Sequence, residues 1–194
     1  GKVLIVAGFQ GVDENDNITT LGRGGSDTSA VALAAALKAD VCEIYTDVDG
    51  IYTTDPRVYP QAVKMDQISY DEMLELASLG AGVMHSRSIE FGKKFNVPIH
   101  VRSSMENKPG TMITHEVPQM EGILVSGATM QTDLAKIALI GVDNQPGNAA
   151  KVFAKLAEAQ VSVNDIIQVE ISPEKANLSF TIPKADLDDA NKAI

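Results

Sequence analysis

The stretch TTLGRGGSDTSAVALAAALKA, residues 19–39, places glycines, an arginine, a serine and an aspartate directly before an Ala-rich segment. This segment is apolar on nearly every side, which predicts a buried helix over residues 26–38 with Ser26 as its N-cap. Glycines let a backbone approach a ligand closely, and the free N–H groups and dipole of a helix start favour an anion. Arg23 adds a planar fork of donors for a carboxylate or phosphate. We therefore expect an anion site here rather than a plain glycine-rich turn.

The composition excludes some classes of function. The chain has 194 residues, of which 44% are hydrophobic, with a formal net charge of -10 and a pI of about 4.7. An acidic chain without a Lys/Arg cluster is not an electrostatic nucleic-acid binder, so we expect small molecules or proteins as partners. The apolar runs are too short for a bilayer and no signal peptide is recognisable, which predicts no membrane contact and a reducing, cytoplasmic location. The lone Cys42 is expected to be a small buried residue.

The first part of the chain alternates predicted strands and helices. Apolar runs at residues 2–8 and 41–47 predict buried strands on either side of the first helix. Strand, helix and strand in that order favour a parallel α/β sheet. Further along, residues 69–80 predict a helix with a capping box and a glycine stop, residues 86–95 another helix, and residues 97–104 a strand. The fold class is therefore α/β, with a mainly parallel sheet and flanking helices.

The second part has a different pattern. We place a linker at residues 116–122, in a polar stretch with Pro and Gly that lacks periodicity, and a second domain at residues 123–194. The predicted order in that domain is β-α-β-β-α, most of a ferredoxin-like unit without its last strand. Its elements are expected at residues 134–142, 144–160, 161–172, 176–183 and from about 185 onward. Because Gly1 stands directly before a strand-like run and the last strand is missing, we expect a chain cut at both ends.

A second chemical signal is YTDVDGIYTTDPR, residues 45–57. It leads from the end of a predicted strand into a Gly-containing loop, which is where α/β sheets bind ligands. Asp47 suits a ribose or ring amine, Tyr52 suits stacking on a base, and Arg57 suits a phosphate. Taken alone, a surface loop with a turn at Pro56 explains the same residues equally well.

The motifs TTLGRGGSD, YTDVDGIYTTDPR and VRSS, in this order, resemble the aspartokinase family of amino-acid-kinase enzymes. The resemblance runs through essentially the whole chain. TDVDGIYTTDP is shared loosely by amino-acid kinases, whereas GRGGSD is more particular to aspartokinases. The family resemblance implies that residues 1–115 are the C-terminal portion of a kinase domain and that residues 123–194 are an incomplete ACT domain. The implied activity is phosphorylation of the side-chain carboxylate of L-aspartate, with ATP and Mg²⁺ bound through the nucleotide.

The resemblance also implies roles for individual residues. Asp27 is the catalytic residue, which orients a lysine from the family's N-terminal Lys-x-Gly-Gly motif. That motif does not occur in this sequence, so we expect the chain alone to be inactive. The implied aspartate-binding residues are Arg23, Gly24, Gly25 and Ser26. The implied nucleotide-binding residues are Thr46, Asp47, Tyr52, Arg57, Gly82 and Val83, with Gly82 standing where some family members have a lysine.

A regulatory site is expected in the loop GVDNQPGNAAKV, residues 141–152. A strand enters a Pro-Gly turn whose following helix has free N–H groups for the carboxylate of an amino acid. ACT domains of the resembled family bind lysine or threonine at paired interfaces, which implies homo-oligomers or α/β assemblies. The expected effector-binding residues are Asp143, Asn144, Pro146, Gly147, Asn148, Ala149 and Gln168.

Other candidates are weaker. His85, His100 and His115 lack metal-ligand spacing, and we predict no metal site in the protein itself. Two alternatives to an aspartokinase remain open at this point. One is another amino-acid kinase, for which GRGGSD would be expected to differ. The other is a non-catalytic regulatory ACT polypeptide, which the presence of residues 1–119 disfavours.

Overall fold

The computed structural model describes residues 1–115 and 125–194, which form two compact units, Gly1–Met130 and Gln131–Ile194. Residues 125–130 belong to the first unit by their contacts. The predicted linker at 116–122 lies outside the described residues, so the predicted domain limits stay predictions. Among the described residues, no helix has both the length and the apolar character needed to cross a membrane.

The first unit is a mixed α/β structure. Its central sheet has the strand order β3 (Cys42–Thr46), β7 (Ile99–Ser103), β8 (Thr111–Thr114) and β6 (Gln67–Ser69). The pairs β3–β7 and β6–β8 are parallel, and β7–β8 is antiparallel. Two short antiparallel hairpins, β1–β2 and β4–β5, lie outside this sheet. The elements are β1 Gln10–Val12, β2 Ile18–Thr20, α1 Gly25–Leu37, β3 Cys42–Thr46, β4 Ile51–Tyr52, β5 Lys64–Met65, β6 Gln67–Ser69, α2 Tyr70–Ser78, α3 Ser86–Phe95, β7 Ile99–Ser103 and β8 Thr111–Thr114.

The predicted start of α2 is confirmed in atomic detail. Ser69 accepts a hydrogen bond from the backbone N–H of Glu72, and the Glu72 carboxylate accepts one from the backbone N–H of Ser69. The predicted bounds of α3, residues 86–95, are also confirmed, as is the burial of Cys42. Helices α1, α2 and α3 and the sheet enclose one core. Its fully buried side chains include Ile68, Tyr70, Met73, Ile89, Ile99, Val101 and Ile113.

Two predictions for the first unit are wrong. Residues 2–8 form no strand, and Val3 and Ile5 are 93% and 98% exposed. A buried strand needs a neighbouring strand for its hydrogen bonds, and the described residues provide none beside this segment. Helix α1 is not buried on all sides, because Leu37 at its end is 70% exposed.

Local sequence patterns also did not predict the short strands that depend on distant partners. The polar stretch after residue 104 was expected to be irregular, yet it contains β8. Thr111 and Ile113 of this strand are fully buried. The Thr111 hydroxyl accepts a hydrogen bond from the Ile51 N–H at 2.8 Å and donates one to the Met65 carbonyl at 2.6 Å. One buried threonine thereby ties β8 to the β4–β5 hairpin, which the sequence had also presented as a plain loop.

The second unit confirms the predicted β-α-β-β-α order. Its antiparallel sheet has the strand order β10-β11-β9, with β11 in the centre. The core is formed by the alternating inward residues of β11 with Leu156 and Ala190 from the helices. The elements are β9 Leu134–Asp143, α4 Asn148–Glu158, β10 Ile166–Ser172, β11 Lys175–Pro183, a 3₁₀ turn Lys184–Asp186 and α5 Leu187–Ala193. Strand β10 begins later than the predicted residue 161.

Candidate functional site

The glycine loop, residues 21–25, turns the chain into the first turn of α1. Gly22 and Gly24 have φ values of 75° and 71°, in the left-handed region that favours glycine. A Cβ atom on Gly24 would lie 2.3 Å from the Cβ of His85, so the loop needs glycine there for space as well. The Gly25 N–H donates to the Gly22 carbonyl at 2.9 Å. This backbone geometry brings the start of the helix against the segment that precedes α3.

The cap of α1 differs from the prediction. Gly24, not Ser26, is the N-cap, and no side chain caps the helix. Ser26 lies inside the first turn, exposed, and its carbonyl accepts a hydrogen bond from the Ser29 hydroxyl. The first bond of the helical pattern runs from the Thr28 N–H to the Gly24 carbonyl, so the N–H groups of Ser26 and Asp27 precede it. A helix start without a side-chain cap keeps these donors available for an anionic ligand.

The charged side chains of the loop have contrasting surroundings. Arg23 is exposed, whereas Asp27 is partly buried. Burial raises the pKa of Asp27, and the backbone and ring of His85 act in the opposite direction. The structure thus places Arg23, Gly24, Gly25, Ser26 and Asp27 together at one helix start, with a cation at the rim and a carboxyl group further in.

Sequence reasoning missed His85 and Arg87. The His85 ring accepts a hydrogen bond from the Arg87 N–H at 3.3 Å and caps α3. Arg87 Nη2 donates to the carbonyls of Leu21 and Arg23, each at 2.9 Å. The only signal in the sequence was HSR at the start of a predicted helix, and nothing local connects that motif with a loop more than sixty residues earlier.

The predicted nucleotide-binding residues lie in two groups. Thr46, Asp47, Tyr52 and Arg57 belong to the end of β3 and the segment that follows it, and Gly82 and Val83 lie between α2 and α3. Thr46 ends β3, and its hydroxyl donates to the Asp47 carboxylate at 3.1 Å. Tyr52 on β4 donates to the Asp49 carboxylate at 2.9 Å, and this bond is the main cause of a raised pKa of Tyr52. Arg57 is 89% exposed at the side chain.

Arg57 has a partner that the sequence analysis did not name. Its guanidinium binds the Asp55 carboxylate at 2.7 Å, which is the main cause of a raised pKa of Arg57. Asp47 adds a smaller effect in the same direction, so the two predicted nucleotide residues lie within electrostatic reach of each other. Gly82 and Val83 lie between α2 and α3, and no hydrogen bond among the described residues joins them to the other four.

The second unit contains a cavity of about 840 Å³ at the start of α4. Gly147 is the N-cap, with a φ of 92° and no side-chain cap. The cavity lies between this helix start and the strands β9, β10 and β11. All the predicted effector residues line it, namely Asp143, Asn144, Pro146, Gly147, Asn148, Ala149 and Gln168.

Polar side chains at this cavity form two separate sets of contacts, one of which extends to Glu170 outside the lining. Gln168 donates to the Asn144 side chain at 3.3 Å, and Asn144 donates to the Glu170 carboxylate at 3.1 Å. Lys175 binds Asp143 at 2.6 Å and lowers the pKa of that carboxyl group. The sequence analysis missed Lys175 and Glu170. The period of two along β10 places Glu170 on the same side as Gln168 and was the available signal.

Metal binding by the protein itself finds no support in the part of the chain that the structure describes. Within residues 1–115 and 125–194, no three His, Cys, Asp or Glu side chains come together as a metal site. The Mg²⁺ that the family resemblance implies is one held through a nucleotide, and it stays a prediction.

Comparison with known proteins identifies the family. Residues 1–103 match the amino acid kinase family. The chain belongs to the amino acid kinase family. Residues 137–194 of this family member match an ACT domain. The glycine loop, α1 and the nucleotide residues all lie within the first match, and the cavity residues lie within the second.

Similar proteins of this family carry both regions. An aspartokinase of Geobacillus stearothermophilus is 52% identical over 187 residues, and one of Pseudomonas aeruginosa is 52% identical over 188 residues. Each alignment covers 96% of this chain and 46% of the relative, so the chain spans under half the length of these curated relatives. E. coli aspartokinase III, solved in complex with lysine and aspartate, has a TM-score of 0.75 and 34% identity over 90% of this chain and 38% of its own. Aspartate kinase from Clostridium acetobutylicum has a TM-score of 0.76 and 27% identity over 96% and 43%.

Proposed function

We propose that a full-length protein carrying this sequence transfers the γ-phosphoryl group of ATP to the side-chain carboxylate of L-aspartate. The product is 4-phospho-L-aspartate, which enters the biosynthesis of lysine, threonine and methionine. The observation that carries the proposal is the start of α1, where the uncapped N–H groups of Ser26 and Asp27 lie beside Arg23. Relatives named aspartokinase, about half of whose residues are identical over nearly the whole chain, support the same substrate.

The proposed phosphoryl transfer depends on positioning of the two substrates more than on acid or base catalysis. The aspartate side chain is ionised at neutral pH, so no general base is needed to make it a nucleophile. One carboxylate oxygen bonds to the γ-phosphorus, and ADP leaves with the electron pair of the broken bond. Arg23 and the N–H groups of the helix start bind a carboxylate of the substrate and align it. Mg²⁺, when bound through the nucleotide, neutralises phosphate charge.

Asp27 is the residue we propose for organising the phosphoryl-transfer site. Its partly buried position beside His85 fits a group that orients a cation rather than one that binds free substrate. In the resembled family that cation is a lysine of the Lys-x-Gly-Gly motif, which this sequence does not contain. A full-length protein that supplies such a lysine is therefore part of the proposal.

The nucleotide is proposed to bind along the end of β3 and the β4–β5 hairpin. Asp47 and Arg57 lie within electrostatic reach of each other, and Tyr52 lies on the hairpin between them in sequence. Arg57 would exchange part of its contact with Asp55 for a phosphate, which its exposed position allows. A structure with bound ATP analogue checks this: nucleotide more than one side-chain length from Asp47, Tyr52 and Arg57 would contradict it.

The second unit is proposed to bind a feedback amino acid, either lysine or threonine. The cavity offers the free N–H groups of the α4 start for its carboxylate and Asp143 for its ammonium group. E. coli aspartokinase III has been solved with lysine, which supports lysine as a candidate. We propose that a partner ACT domain completes the site, in a homo-oligomer or an α/β assembly in the cytoplasm.

The alternatives make different predictions. Another amino-acid kinase would phosphorylate a different acceptor, such as glutamate, and a regulatory ACT polypeptide would have no kinase activity. The match of residues 1–103 to the amino acid kinase family speaks against the regulatory polypeptide. Assays of the full-length protein with ATP and either aspartate or glutamate separate all three possibilities.

The test of the substrate site is Arg23→Ala in the full-length protein. Loss of a charge-assisted contact should weaken aspartate binding by roughly 1.5–3 kcal/mol, while the KM for ATP should hardly change. Arg23→Lys is the matched control, because it keeps the charge and loses the planar fork. An unchanged aspartate KM together with a large rise in the KM for ATP would show that Arg23 serves the nucleotide instead.

A further inference from the structure

Arg87 joins two parts of the first unit that are far apart in sequence. It lies in the first turn of α3, and its Nη2 atom donates to the carbonyls of Leu21 and Arg23 at 2.9 Å each. These carbonyls flank Gly22, the first left-handed residue of the glycine loop. One guanidinium nitrogen thus fixes the direction of two peptide groups on either side of the most flexible residue type.

The loop has one other restraint at its start, the hydrogen bond from the Leu21 N–H to the Phe9 carbonyl at 3.1 Å, and few beyond it. A Cβ atom on Gly22 would meet nothing within 4 Å, so packing does not fix the conformation there. The Gly25 N–H bond to the Gly22 carbonyl is a local turn contact that moves with the loop. Arg87, in contrast, belongs to a helix that packs against α2 and the core through Ile89. It therefore links the loop to the rigid part of the unit.

The direction of these carbonyls matters for an anion. With the carbonyls of Leu21 and Arg23 turned toward Arg87, their negative ends are engaged by a cation. The N–H groups at the start of α1 then face a ligand without a competing carbonyl, and the positive charge of Arg87 adds to the attraction. His85, two residues earlier, packs against Gly24 and limits the loop from another side.

We propose that Arg87 is a positioning residue that holds the glycine loop in the form that binds the substrate carboxylate. The inference rests on the proposed function for the identity of the substrate. Arg87 acts through the loop and not by touching aspartate. Its removal should weaken aspartate binding and loosen the peptide bond after Arg23, while nucleotide binding and the stability of the core stay close to those of the wild type.

The test compares Arg87→Ala, Arg87→Lys and the control Lys94→Ala in the full-length protein. Lys94 is on the same helix and contacts the Phe95 ring, so its removal deletes a positive charge without touching the loop. We expect Arg87→Ala to raise the KM for aspartate about tenfold, as for a lost hydrogen-bonded charge, with the KM for ATP unchanged. Arg87→Lys should recover part of the loss, because an ammonium can donate to a carbonyl.

A second readout does not depend on activity. Trypsin cleaves after arginine, so cleavage after Arg23 under native conditions, followed by mass spectrometry, reports the freedom of the loop. It should be several-fold faster in Arg87→Ala than in the wild type and unchanged in Lys94→Ala. Melting temperatures of all three variants, measured in parallel, show whether any change reflects general unfolding.

The possible outcomes distinguish the positioning role of Arg87 from the proposed phosphorylation of aspartate. Unchanged cleavage and unchanged aspartate KM in Arg87→Ala overturn the positioning role. A raised aspartate KM with unchanged cleavage also overturns it, because Arg87 would then act directly on the substrate. Equal rises of both KM values with a lower melting temperature indicate a structural role only. If the wild type does not phosphorylate aspartate but cleavage is faster in Arg87→Ala, the proposed substrate is wrong and the loop-holding role stands.

Discussion

Helix α1 in the first unit and helix α4 in the second begin with the same backbone geometry. Each N-cap is a glycine in the left-handed region, Gly24 with φ 71° and Gly147 with φ 92°, and neither helix has a side-chain cap. In α1 the Gly25 N–H donates to the residue three positions earlier at 2.9 Å, and in α4 the Asn148 N–H does the same at 3.2 Å. The next bonds, from Thr28 and Lys151 to the two N-caps, are both 3.1 Å. Two unrelated domains thus use one way to present N–H donors.

The surroundings of the two helix starts differ. Around α1 lie Arg23, Arg87 and a partly buried Asp27, while the cavity at α4 is lined by the amide groups of Asn144 and Gln168 with paired charges at its rim. Gly24 is in close contact with His85, whereas a Cβ on Gly147 would meet nothing within 4 Å. The two helix starts therefore share a backbone arrangement that suits a carboxylate, and they differ in the side chains around it. We propose that this difference selects aspartate at α1 and a feedback amino acid at α4.

The largest expected effect distinguishes the two glycines. Gly24→Ala adds left-handed strain and a collision with the His85 Cβ at 2.3 Å, which should cost about 3 kcal/mol and abolish aspartate activity. Gly147→Ala adds only the backbone strain, about 1–2 kcal/mol. The measurement is the unfolding midpoint of both variants of the full-length protein, with aspartate kinetics for Gly24→Ala. Equal destabilisation by the two substitutions would show that the contact between Gly24 and His85 adds no steric cost.

A smaller effect is expected at the second helix start. Gln168→Ala removes the hydrogen bond to Asn144 and one proposed contact with the effector. The concentration of lysine or threonine needed for half-inhibition should rise about fivefold, as for one neutral hydrogen bond. Lys192→Ala is the control, because this exposed residue pairs with Asp189 on α5 and does not line the cavity. If neither amino acid altered the activity or stability of the wild type, the second unit would be an assembly module instead of an effector domain.

The smallest expected effect concerns Asp27 and Asp143, the carboxyl groups near the two helix starts, whose ionisation affects the stability in opposite directions. Burial raises the pKa of Asp27 above its ordinary value of 3.8, so the folded state favours the neutral acid and its ionisation opposes folding. Lys175 lowers the pKa of Asp143 below the same value, so its ionised form supports folding. At neutral pH, Asp27→Asn should therefore raise the melting temperature and abolish activity, and Asp143→Asn should lower the melting temperature slightly.

The pH dependence follows from these directions. The gain from Asp27→Asn should shrink as the pH falls through the raised pKa of the folded protein, and it should vanish below the ordinary value of 3.8, where the carboxyl group is protonated in both states. The loss from Asp143→Asn should persist until the pH falls below the ordinary value of 3.8, and added salt should reduce it because the pair is exposed. Melting curves of the three proteins between about pH 4 and pH 7 check both signs. Shifts of the same sign would contradict the difference in environment.

Local signals in the sequence determined much of the secondary structure. The capping box at Ser69 and Glu72 defined the start of α2, and the bounds of α3 were predicted correctly. The β-α-β-β-α order of elements in the second unit followed from alternating apolar positions and turn residues. The glycine loop with Arg23 and the loop at the start of α4 were recognised as candidates in the same way. These features depend on neighbours within a few residues, which a sequence displays directly.

The tertiary structure alone decided which distant groups meet. Gly24 lies against His85, and Arg87 reaches the loop because α3 packs against α1. Strand β8 pairs with β6 and β7, and its buried Thr111 ties it to the β4–β5 hairpin. The apolar residues 2–8, without a neighbouring strand among the described residues, formed none. Periodicity indicates that a segment needs a partner but does not name it. The partner is set by packing and by hydrogen bonds between residues far apart in the chain.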